Sequence, residues 1–251
     1  VKINKELLFN FGKIKRFFKV NTDLMIRSFL LIISIAFFTN QSAKLGDNIL
    51  AIHMIIMQSF YIFSYFTDGF AYAGEAMTGK YIGAKDDVML RQTVKWTFVW
   101  SMGIALIFIG IYHFAGVPLL RMMTSDVTVV EASREYLPWL LLMPVIGCAA
   151  FTWDGIYIGA TASKAIRNSM LWAVVGFTAV WFIGIACLNW LSPGIGLDSA
   201  AAGSLPASGS DVSGATDYGR IAMHILMAAY FAHLLARTIY LSAKYRKVVH
   251  I

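Results

Sequence analysis

Apolar residues along this chain come in long blocks broken by short polar runs, not in the alternation that marks strands. Six blocks reach the roughly 20 residues that a helix needs to cross the hydrocarbon core of a bilayer. They lie at about 23–39, 48–79, 96–117, 137–160, 169–191 and 221–243. The pattern predicts an all-α fold, a polytopic membrane bundle of six transmembrane helices. The second and fourth blocks exceed the minimum, so tilt or extension beyond the bilayer is expected there. The stretch 192–220 is rich in Gly, Ser and Ala and reads as a flexible external loop. The organisation expected is a basic cytoplasmic arm at 1–20, five helices within 21–191, the loop at 192–220, and a last helix with a basic tail at 221–251.

Composition strengthens this picture. The chain is 58% hydrophobic and 14% charged, with a mean hydropathy of +0.65. Soluble domains sit near 45–50% and about 25%. The net charge of +7 does not suggest nucleic acid, because the charges fall in short loops rather than on one face. Both cysteines, Cys148 and Cys187, lie inside apolar runs with no CxxC nearby, so neither disulfide nor metal is expected. The chain starts at Val1, which fits an alternative start or a cut from a longer protein. The first ~20 residues are basic and lack the apolar segment of a cleavable signal peptide.

Charge also orients the blocks. One set of connections carries Lys2, Lys5, Lys13, Lys15, Arg16 and Lys19, then Lys80, Lys85, Arg91 and Lys95. It continues with Lys164 and Arg167, then Arg237, Lys244, Arg246 and Lys247 at the C-terminal end. Those are sixteen of the 21 basic residues, against four on the other side: Lys44, Arg121, Arg134 and Arg220. Cytoplasmic loops of membrane proteins carry such an excess. Both termini are therefore expected in the cytoplasm, with the protein multi-pass in the cell membrane.

Five ionisable residues fall inside the blocks: Asp23, Arg27, Asp68, Glu75 and Asp154. On insertion scales each costs about 2.5–3.5 kcal/mol at mid-helix, so each needs a partner or water. Asp23 and Arg27 are four apart on one helix face and are expected to pair. Glu75 follows Asp68 by two turns and lies near Lys80, which suggests an interfacial place. Asp23, Arg27 and Glu75 together read as an intramembrane ion-pair network. Asp68 and Asp154 have no cation one helical turn away. Each would be satisfied by Arg27, by a polar group on another helix, or by a proton. A proton or coupling-ion group and a buried helix-packing salt bridge weigh equally on physics alone.

Other signals are weaker. Pro138 and Pro144 can bend the fourth span. The small residues at 71–79 suit close helix contact. The 18 Phe, 11 Tyr and 7 Trp suit a lipid-facing surface first and a drug cavity second. His53 and His113 lie within spans with nothing to pair them. No HExxH, P-loop or GxSxG occurs, so no enzyme of the soluble type is expected. One echo stands out: "DGFAYAGEAMTGKYIGAK" in the second span and "DGIYIGATASK" in the fourth share Asp-Gly, then Tyr-Ile-Gly-Ala, then lysine. It suggests that these two helices end alike.

On these residues the chain resembles multidrug and toxic compound extrusion (MATE) transporters. "YFTDGFAYAGEAMTGKYIGAKD" is similar to the family's eighth span, and "TWDGIYIGATASKAIRNSM" to the tenth span of its DinF branch. "NTDLMIR" fits the seventh, although Thr22 stands where many relatives have arginine. The resemblance runs well from about 19 to 170; the 192–220 segment departs from it. It implies two six-span lobes, of which this chain would be the C-terminal one. Its partner would be the missing N-terminal lobe or a second half-transporter. It also implies rocker-switch export of a small organic substrate, driven by H+ or Na+ entry without a cofactor. Asp154 matches the stretch that carries a cation-binding aspartate in sodium-coupled relatives; that site's acid from the seventh span has no match here. A lipid or lipid-linked sugar flippase of the same superfamily is the alternative, lowered because Arg27 alone among arginines is in a span. A membrane-embedded transferase or a nonfunctional fragment are the alternatives of other classes.

Overall fold

A computed structural model describes residues 11–191 and 212–249. Helix α1 spans Phe11–Lys44, α2 Asp47–Ala84 and α3 Asp87–Met123. A short α4, Val127–Ser133, leads through a single 3-10 turn at Arg134–Tyr136 into α5, Leu137–Gly159. Helices α6, Ser163–Leu191, and α7, Val212–Val249, complete the bundle. Six helical segments are long and apolar enough to cross a membrane, α4 and α5 forming one of them. There is no strand among the described residues. The all-α expectation holds, and so does the count of six spans.

The helices outrun the apolar blocks because hydropathy marks the slab of lipid, not the end of the hydrogen-bonded helix. Helix α1 already runs at Phe11, so the second half of the expected arm is helical. Helix α7 begins at Val212, so 212–220 is helix rather than loop. The rest of that loop, 192–211, and residues 1–10 lie outside the described residues.

Local chemistry sets the turns. Gly46, at φ 116°, makes the corner between α1 and α2 that a side chain would resist. The Asp86 side chain accepts the Met89 N–H at 3.0 Å to start α3, and Asp126 accepts Thr128 N–H at 2.8 Å to start α4. Pro138 falls in the first turn of α5, where no hydrogen bond is lost, while Pro144 sits inside that helix.

The sequence echo is a shared helix ending. In α2, Lys85 takes the left-handed conformation at φ 56°, its N–H bonds Ile82 O, and Asp86 N–H bonds Tyr81 O at 3.0 Å. In α5, Thr161 takes it at φ 54°, its N–H bonds Ile158 O, and Ala162 N–H bonds Tyr157 O at 3.0 Å. Tyr-Ile-Gly-Ala thus occupies the same register of the same C-terminal cap twice.

Helix α5 packs against α2, α3 and α7, while α6 packs against α1 and α7. Helices α2 and α5 run parallel at backbone contact. A Cβ at Gly155 would overlap the Ala71 carbonyl, and one at Gly159 would overlap the Glu75 carbonyl. Gly155 and Gly159 are four apart, the small-residue spacing that brings membrane helices together. Hydrogen bonds tie α5 to α7: Tyr157 Oη donates to Leu241 O at 2.6 Å, and Trp153 Nε1 to Ser242 Oγ at 2.8 Å. The core is aromatic, with Phe38 stacked on Tyr230 at 5.5 Å and Phe60 edge-on to Tyr230 at 5.9 Å. The outward faces carry Phe29, Ile32, Leu106, Phe114, Phe182 and Trp190, all exposed. Such a surface suits lipid, not water.

Candidate functional site

Because α2 and α5 touch at the glycines, Asp154 is pressed towards the α2 side of the bundle. A cavity of about 230 Å³ lies there, walled by α1, α2, α5 and α7. It follows α2 from Phe60 to Glu75, roughly 22 Å at 1.5 Å per residue. Phe60, Tyr61, Phe151 and Tyr230 supply aromatic wall, while Arg27, Asp68, Glu75, Asp154 and Arg237 supply charge.

Asp154 is 5% exposed and holds two cations on one oxygen: Nη2 of Arg27 and Nη2 of Arg237 both donate to its Oδ2. Two guanidiniums counter one carboxylate, so the trio carries one net positive charge. Removing the carboxylate would strand two guanidiniums in a medium of low dielectric, whereas removing one guanidinium would leave a neutral pair. The trio is not saturated: Asp154 Oδ1, Arg27 Nε and Arg237 Nε have no partner among the described residues. Asp68 faces the same cavity, half-buried, and makes no ion pair or hydrogen bond among the described residues.

The expected Asp23–Arg27 pair is not formed. Asp23 instead accepts Arg167 Nη1 at 2.6 Å and Ser163 Oγ at 2.9 Å, tying the start of α6 to α1. Sharing a helix face gave Asp23 and Arg27 proximity, but neighbouring helices offered each a better-aligned partner. Nor do Asp23, Arg27 and Glu75 form one network. Arg27 turns into the cavity, and Glu75 lines it without an ion pair among the described residues. The Lys80 ammonium lies over the Tyr81 ring at 5.4 Å.

Arg237 differs from its expected place: loop charge puts it with the basic tail, yet it is 2% exposed inside α7. The signal was its position within the apolar run 221–243, with Thr-Ile-Tyr-Leu still to follow. Two histidines of α7 were likewise passed over. His233 is 1% exposed, and neither ring nitrogen has a partner among the described residues. His224 accepts Trp139 Nε1–H at 2.9 Å and meets Glu135 at 3.2 Å. His53 lies against Thr39 at 3.4 Å, and His113 is exposed beside Phe114.

The family model MatE matches residues 24–187, which include every helix wall of the cavity except α7. This chain belongs to the MATE family. It falls in the DinF branch: it is 34% identical over 180 residues to DNA damage-inducible protein F of Escherichia coli (strain K12). That match covers 72% of this chain and 38% of the relative. The probable multidrug resistance protein NorM of Photorhabdus laumondii subsp. laumondii is 25% identical over 163 residues, 62% of this chain and 34% of its own length. The matches thus span little more than a third of each curated relative. No solved structure matches. As a MATE chain it is a multi-pass membrane protein, and the two stretches that carried the resemblance, around Asp68 and Asp154, both face the cavity.

Proposed function

We propose that this chain forms one lobe of a secondary antiporter that exports amphipathic organic compounds in exchange for protons. The observation that carries the reading is the contrast between two acids in one aromatic cavity. Asp154 is neutralised by Arg27 and Arg237; Asp68 has no such partner among the described residues. A carboxylate without a fixed cation is free to exchange a proton with water in the cavity, whereas one clamped by two guanidiniums serves as an electrostatic anchor. Sodium fits less well, since it needs several converging oxygens and Asp154 Oδ2 is already shared by two cations. The other lobe would close the cavity, either from the same polypeptide or as a second half-transporter. Both termini would face the cytoplasm of a cell or inner membrane, as the loop charges suggest. The family names of the relatives, one of them a probable multidrug resistance protein, support the substrate class.

The flippase alternative gains one observation, because two arginines rather than one line the cavity. Both already pair with Asp154 through Nη2, so part of the charge that a phosphate would meet is countered.

The test is Asp68→Asn in the full-length protein, reconstituted into liposomes with an imposed pH gradient. Gradient-driven uptake of a fluorescent organic cation should fall at least about tenfold, a loss of about 1.4 kcal/mol in the coupled step. Undiminished gradient-driven transport by Asp68→Asn would show that Asp68 does not carry the coupling proton.

A further inference from the structure

The two cations on Asp154 are not equivalent. The Arg237 side chain is 2% exposed and enclosed by α7 and its neighbours; the Arg27 side chain is 22% exposed at the cavity edge. Arg27 is held through one terminal nitrogen while its Nε has no partner among the described residues. We infer that Arg27 is a tethered competitor for cationic substrate: it holds Asp154 until the positive centre of an organic cation takes its place. This rests on the exporter reading above and deepens it.

Three features support the exchange. First, Asp154 lines a cavity with aromatic walls, the surroundings in which an organic cation is attracted both to ring faces and to a carboxylate. Second, Arg237 alone already counters Asp154, so Arg27 is a surplus cation that can leave without baring a buried carboxylate. Third, the released guanidinium has somewhere to go. Asp23, one turn back on α1, is taken by Arg167 and Ser163. Asp68, on the wall of the same cavity, carries no ion pair among the described residues. As a monocation arrives at Asp154, Arg27 turns to Asp68, so each carboxylate of the cavity then holds a cation. Arg237 stays in place as the fixed partner.

The role predicts an effect that a structural brace would not give, namely tighter binding when the residue is removed. The experiment measures equilibrium binding of tetraphenylphosphonium, a permanent cation with no proton to exchange, to the purified full-length protein. A neutral probe of similar shape, triphenylphosphine oxide, is measured beside it. Arg27→Gln should bind the cation about tenfold more tightly, the scale expected for deleting one like charge across a partly screened cavity. Arg27→Lys, which keeps the charge, should stay within about twofold of the parent. The neutral probe should not change in either. Should Arg27→Gln fail to fold, Arg27→Met is judged by the same criteria. Unchanged or weaker cation binding by a folded neutral variant, with the parent binding normally, overturns the competitor role and leaves the exporter reading standing. Absence of saturable binding or transport by the parent itself overturns both.

Discussion

Asp154→Asn tests whether the buried trio is what it looks like. The substitution keeps the shape and removes the only negative charge that Arg237 touches among the described residues. Arg237 is 2% exposed and cannot turn to water. Breaking a buried pair from one side typically costs about 3–5 kcal/mol, because the stranded ion keeps its desolvation penalty and loses its attraction. Arg237→Met removes one of two cations and leaves a neutral Arg27–Asp154 pair, so it should cost less, about 1–2 kcal/mol. The double variant, Asp154→Asn with Arg237→Met, leaves only Arg27, which can swing towards Asp68 at the cavity edge. It should be more stable than Asp154→Asn alone, with a coupling energy of about 2 kcal/mol. The assay is equilibrium unfolding of the full-length protein in mixed micelles of mild detergent and dodecyl sulfate. A loss below about 1 kcal/mol for Asp154→Asn, or strictly additive losses in the double variant, would refute the idea that the trio is a buried electrostatic unit.

Two further predictions concern the backbone. Gly155→Ala puts a Cβ into the Ala71 carbonyl, which cannot rotate away, so α2 and α5 must part at about 1–3 kcal/mol. Gly74→Ala meets only the Thr97 side chain, at 2.8 Å, which can change rotamer; its fall in thermal midpoint should be the smaller of the two. Thr161 holds a left-handed conformation at φ 54° that a β-branched residue tolerates poorly. Thr161→Gly should therefore raise the thermal midpoint, by an amount equivalent to about 1 kcal/mol, and no rise would mean that the turn is not strained.

Helix count and class were legible because they depend on local quantities. A bilayer of fixed thickness and a backbone that must bond to itself turn each long apolar run into a helix. The shared cap after Tyr81 and Tyr157 was legible for the same reason, since a cap involves six consecutive residues. The candidate acids were legible too: an ionisable group in an apolar run is noticeable wherever it points. Helix ends were not, because α1 and α7 continue through polar residues that a membrane criterion excludes.

The sequence by itself thus determined the six spans, the all-α class and the buried acids that needed partners, but not the buried cation Arg237. Only the tertiary structure decided who pairs with whom. Asp23 finds Arg167 across 144 positions, while Arg27 and Arg237 reach Asp154 across 127 and 83. The Asp154 contacts accompany the parallel packing of α2 on α5 at Gly155 and Gly159, with α1 and α7 on the same cavity, while the Asp23 pair belongs to the packing of α1 on α6. Spacing along one helix gives a charge its direction. The packing of four helices gives it a partner, because in a medium of low dielectric the best-aligned counter-ion prevails over the nearest in sequence.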